Sequence, residues 1–221
     1  MGDAGTGHPL LTVGDSRSTQ RSARASALFA LPFAIASLLV VFVLAGLGFN
    51  VETLLGIVLA GTVFVPALVE FVLRTPIPRA LQLHYLIFIV AGPLAGSVLH
   101  VYDAIPRWDA YVHFDSGVML AWLGMLAVRR AEERARVPLP TWFGLSVVMA
   151  TPMAFAGAWE ICEFVSDVIL GTTSQSGLED TMLDIVAGTA GGLLAIALLM
   201  VARRPRTVAP LSLLRGGRRP R

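Results

Sequence analysis

Apolar positions along this chain do not alternate with polar ones; they run together in six long stretches separated by short polar punctuation. The stretches fall at about 26–49, 52–73, 80–102, 109–128, 141–168 and 181–202. Each is long enough to cross about 30 Å of hydrocarbon as an α-helix. No water is available there to satisfy backbone N–H and C=O groups, so each stretch is expected to be helical. The fold class that follows is all-α: a polytopic integral membrane helix bundle of about six transmembrane helices. It occupies residues 26–202, between a disordered basic tail at 1–25 and a second basic tail at 203–221. Pro32, Pro66, Pro93 and Pro152 lie inside the stretches and mark expected kinks, Pro152 foremost. The first stretch exceeds the roughly 7 to 15 apolar residues of a secretory signal and reads as an uncleaved span. No internal repeat is evident.

Composition fits a bilayer as solvent. Apolar residues make up 55% of the 221, and the mean hydropathy is +0.72, against an apolar share of about 45 to 50% in soluble domains. The lipid bilayer is therefore the first expected partner. The net charge of +2 rests on 17 arginines that punctuate apolar runs rather than interleave with aromatics, which argues against a nucleic-acid partner. Sixteen of the 17 fall before the first run, between the second and third, between the fourth and fifth, or after the sixth, and only Arg107 falls elsewhere. By the positive-inside rule the arginine side is cytoplasmic, with both termini there and the protein multi-pass. The single cysteine, Cys162, excludes an internal disulfide framework and a cysteine-rich metal site.

On that topology ten of the fifteen acidic residues lie in the outer half or outer loops: Glu52, Asp103, Asp109, Asp115, Glu160, Glu163, Asp167, Glu179, Asp180 and Asp184. An aspartate at the centre of a membrane helix costs about 2.5 to 3.5 kcal/mol, so such groups normally face a partner or a cavity. Asp109 and His113 are four apart and share a helix face, with Asp115 on another; Glu160 and Glu163 are three apart, with Asp167 extending their face; Asp180 and Asp184 are four apart. Glu160 and Glu163 are the candidate catalytic pair, because two carboxylates in one apolar helix have no ordinary packing use. Asp109, His113, Asp180, Asp184 and Arg107 are candidate substrate-binding residues. His113, Glu160, Glu163 and Asp184 are the candidate ligands of a divalent metal, and no other cofactor is indicated. Simpler readings exist: Asp109 and Asp180 as helix caps, His113 as a core histidine bonded to Asp109, His84 as structural, Glu70 and Arg74 as a helix-end ion pair, and Gly188, Gly191 and Gly192 as a packing surface.

Three motifs carry a resemblance. WDAYVHFDSG, WEICEFVSD and LEDTMLDIVAGTAGG, on consecutive helices, resemble the YjdF family of bacterial inner-membrane proteins and, more distantly, VanZ-like proteins. The resemblance covers roughly residues 80–200. It implies that Asp109 and His113, then Glu160 and Glu163, then Asp180 and Asp184 with Gly191, belong to one site. Where VanZ-like proteins often carry asparagine four residues after the last aspartate, this chain has Gly188. VanZ-like members are associated with glycopeptide resistance.

Function stays open among four readings. The first is binding of a lipid-linked or amphiphilic envelope component at an acidic pocket on the outer face. The second is a metal-dependent intramembrane hydrolase or transferase, although no HExxH motif occurs. The third is a small proton-coupled transporter, which six helices suit best as a homo-oligomer. The fourth is a membrane scaffold whose polar cluster locks helices together. Haem is disfavoured, since His84 and His100 lie about 24 Å apart along one helix.

Overall fold

The structure, a computed structural model, describes residues 13–201. The tail at 203–221 and residues 1–12 of the other lie outside the described residues. Eight α-helices and one π-helical segment account for nearly everything described: α1 (Val13–Gly46), α2 (Asn50–Thr62), α3 (Val65–Leu73), α4 (Arg79–Ile89), the π segment (Val90–Val98), α5 (Val101–Ala104), α6 (Trp108–Ala135), α7 (Thr141–Leu170) and α8 (Leu178–Val201). Six helical units are long and apolar enough to cross a membrane, at Ser18–Gly46, Thr53–Leu73, Arg79–Val98, Trp108–Ala135, Thr141–Ile169 and Leu178–Val201. Many large side chains point outward, including Phe42, Phe71, Phe164 and Ile169. In water this surface would be an association hazard; in lipid it is the solvent-matched exterior.

Two helices outrun their apolar stretches. Helix α1 begins at Val13, within the segment expected to be a disordered tail. Its Ser26 lies fully buried, receiving Arg79 Nη1 on its hydroxyl at 3.1 Å and Gln82 Nε2 on its carbonyl at 2.6 Å. Helix α6 continues seven residues past 128, through the arginines, where Arg129 pairs with Glu133 one turn on at 2.9 Å. Arg134 Nη2 then reaches the Leu73 carbonyl at 2.7 Å. These contacts bring the arginine-bearing segments before α4 and after α6 to one end of the bundle, beside α1. Glu70 does not pair with Arg74: it is buried and accepts the Ile77 N–H at 2.7 Å, tying the turn after α3.

The prolines behave differently from one another. Helices α1 and α7 run on through Pro32 and Pro152 without interruption. The second span does break, between Thr62 and Val65, just before Pro66. Pro66 has no N–H to give the Thr62 carbonyl four residues back, and the Tyr85 hydroxyl donates to that oxygen instead, at 2.8 Å. Around Pro93 the third span widens into the π segment, a form associated with functional positions.

Helices α6, α7 and α8 form one packed group, and α1 to α4 a second, joined where α4 and the π segment meet α6. The tightest contact lies between α6 and α8. A Cβ on Gly117 would fall 1.9 Å from the Gly188 carbonyl oxygen, and one on Gly191 would fall 2.0 Å from the Phe114 oxygen. Gly117→Ala and Gly191→Ala are each expected to destabilise the protein by about 1 to 3 kcal/mol through overpacking. Gly157→Ala on α7, with nothing within 4 Å, is expected to be neutral or slightly stabilising. Thermal unfolding of the three variants in detergent checks the contrast.

Candidate functional site

The glycine contact determines which side chains meet. Asp184 lies one turn before Gly188, and His113 one turn before Gly117, so the α6–α8 approach sets both at one level. Helix α7 packs against both, with the Ala156 Cβ facing Gly188, and Glu160, one turn beyond Ala156, completes the group. His113, Glu160 and Asp184 are only 4%, 4% and 3% exposed, so their polar atoms must be satisfied within the protein. His113 Nε2 stands 3.5 Å from Asp109 Oδ1 and 3.6 Å from Glu160 Oε1. Both separations exceed a normal hydrogen bond, and both carboxylate oxygens are buried without a hydrogen-bond partner. One donor atom each from Asp109, His113 and Asp184 lie within 4.8 Å of one another.

The surroundings fix this arrangement. Gln175 Nε2 donates to the Glu160 carbonyl at 3.1 Å and to its Oε2 at 3.2 Å. Gln175 belongs to the segment between α7 and α8, which Asp167 holds by accepting from Thr172 Oγ1 at 2.6 Å, Ser174 N at 2.7 Å and Gln175 N at 3.0 Å. Trp159 Nε1 donates to Glu163 Oε1 at 2.9 Å, and its ring stands edge-on to His113 with centroids 6.4 Å apart. Above the cluster, the Tyr102 ring of α5 packs on Gly96. Burial first, then the charges of Asp109, Glu163 and Asp184, hold the Tyr102 hydroxyl far above the ordinary phenol range.

Trp108 Nε1 donates to the Ala91 carbonyl at 2.9 Å, tying the start of α6 to the π segment. The buried His113, Glu160 and Asp184 lie inside the bundle, with α5 and the segment 171–177 beside them. The structure brings together Asp109, His113, Glu160 and Asp184. Glu163 lies half-buried beside them, held by Trp159. Asp180 stands at the rim, where its Oδ2 accepts Ser176 N at 3.1 Å. Arg107 is exposed in the left-handed turn that starts α6. Asp103 pairs with His100 at 3.3 Å, both exposed, and Asp115 pairs with His84, whose Nε2 lies 2.8 and 2.9 Å from its two oxygens.

The family of predicted membrane proteins designated DUF2238 matches residues 30–205. The chain belongs to DUF2238. The YjdF resemblance carried by the three motifs is to this same family. No curated protein and no solved structure matches the chain.

Beside the cluster the DUF2238 bundle holds a partly open pocket of about 320 Å³ between its two helix groups. His113, Ser116 and Trp159 border it at one end and Ile77 and Gln82 at the arginine end, and its walls between them are almost wholly apolar. Among the described residues no arginine pairs with Asp109, Glu160, Glu163, Asp180 or Asp184. Their mutual repulsion is therefore not offset by an arginine within the described residues. Asp167→Ala removes the acceptor for three hydrogen bonds that carry Gln175. It is expected to open the segment 171–177 to limited proteolysis at least tenfold faster than in the wild type, whereas Glu179→Ala, at an exposed position, leaves the rate unchanged.

Proposed function

We propose that this DUF2238 protein is a multi-pass protein of the bacterial inner membrane that binds an amphiphilic or lipid-linked component of the cell envelope. The head group sits at the acidic and histidine cluster and the apolar part in the pocket beside it. One observation carries the reading: the cluster and the pocket adjoin, since His113 belongs both to the cluster and to the pocket wall. The volume lies at the lower end of the range typical of ligand pockets, and an apolar lining with a few convergent polar groups is their usual chemistry. Asp109, His113, Glu160 and Asp184 meet the head group in this reading, with Glu163 beside them as the second carboxylate of the candidate reactive pair. Asp180 and Arg107 stand nearer the entrance.

The arginine distribution supports the orientation. With 16 of 17 on one side, both termini are cytoplasmic and the cluster is reached from the outer side. The ordered motifs also support a distant VanZ-like relationship, and with it an envelope role.

Native mass spectrometry of protein released from detergent tests the proposal. The wild type is expected to carry a discrete amphiphile, and Leu120→Trp or Val69→Trp, each placing an indole in the cavity, to lose at least nine-tenths of it while remaining monodisperse. Glu160→Gln is expected to reduce it less, because the apolar contacts persist. A wild type with no adduct beyond bulk lipid, or full retention in both tryptophan variants, would remove the reading. Reporter fusions check the orientation: one joined after Asp103 must report the outer side and one at the C-terminus the cytoplasm.

A further inference from the structure

We infer that the cluster is a divalent-cation site in which Asp109, His113 and Asp184 supply the ligand atoms, with the buried Glu160 carboxylate, outside that trio but 3.6 Å from His113, near enough to swing in as a fourth donor. This goes beyond amphiphile binding and does not rest on it, because the cation needs only these four side chains.

Three observations converge. Donor atoms from α6 and α8 already lie within 4.8 Å of one another. His113 Nε2 also stands 3.5 and 3.6 Å from two carboxylate oxygens. That separation is too long for a hydrogen bond but suits donors sharing one metal, which lie about 3 to 4 Å apart when each is bound at about 2.1 Å. Finally, Asp109 Oδ1 and Glu160 Oε1 are both buried with no hydrogen-bond partner, and Glu160 is 4% exposed. Two orphaned acceptors directed at one imidazole nitrogen leave a place where positive charge satisfies all three at once.

The donor set selects the metal class. One imidazole among carboxylate oxygens suits manganese, iron(II) or zinc, and suits calcium or copper(I) poorly. Glu163 falls outside this donor group, and its Oε1 accepts from Trp159 Nε1. Asp109 takes the place that the helix-face reading gave to Glu163. Three or four protein donors leave a coordination position for an oxygen of water or of a bound head group.

Elemental analysis decides it, on protein purified without chelator and then equilibrated with manganese(II) or zinc(II). One ion per chain is expected in the wild type and in Glu179→Gln, at an exposed position outside the cluster. At the same free metal concentration, Asp184→Asn and His113→Gln are expected to bind at least tenfold more weakly. Should those variants not fold, electron spin-echo spectroscopy of manganese-loaded wild type must show coupling to an imidazole nitrogen. Failure of the wild type to bind either metal, equal binding by Asp184→Asn, or manganese without nitrogen coupling would overturn the assignment. Bound amphiphile is measured separately on the same preparations, so metal without amphiphile, or amphiphile without metal, separates this inference from the proposed function.

Discussion

Helices α6 and α8 touch backbone to backbone, because Gly117, Gly188 and Gly191 present no Cβ where the two cross. A side chain at Gly117 or Gly191 would fall 1.9 or 2.0 Å from the facing backbone oxygen and push the helices apart, drawing Asp184 away from His113. In lipid no hydrophobic force draws helices together, so close packing of small residues supplies the association. The same contact therefore stabilises the bundle and assembles the cluster. Helix α7 adds Glu160 by packing into the junction, and the segment 171–177, fastened by Asp167, lies beside it.

A second constraint shapes the other half of the molecule. Each interruption of a helix in hydrocarbon must find a new partner for its freed carbonyl. Tyr85 serves the break before Pro66, and Trp108 serves the Ala91 carbonyl in the π segment. Both bonds also join separate parts of the bundle: Tyr85 ties α4 to the end of α2, and Trp108 ties the start of α6 to the third span. The irregular stretches thus anchor the start of α6, which carries Asp109 and His113. The cavity lies between the two helix groups that these bonds hold in register.

Much of this was legible in the sequence, for physical reasons. Six apolar runs announce six helices because hydrocarbon leaves the backbone no alternative, and three- and four-residue spacings place Asp109 with His113 and Glu160 with Glu163 on shared faces. The glycines of α8 were legible as a packing surface, though not their target at Gly117 and Phe114. Tertiary ties were not legible: the apolar run at 109–128 gives no sign that Trp108 bonds the Ala91 carbonyl. Gln175 lies outside the apolar runs and Tyr102 at the end of the third, and only folding brings them over the carboxylates. Spacing alone also could not separate Asp109 from Glu163 as neighbours of His113: Asp109 stands 3.5 Å from it, while Glu163 accepts from Trp159. Asp115 read as a stray charge until His84, from another helix, proved to be its partner.

The central claim is that carboxylates from different helices share one site with His113. A double-mutant cycle on Asp109→Asn and Asp184→Asn, measured by unfolding of metal-free protein in detergent, tests it most directly. A shared site predicts that the two substitutions are not additive, with a coupling of about 0.5 to 3 kcal/mol. Additivity to within about 0.3 kcal/mol would contradict it and return the two aspartates to separate helix ends.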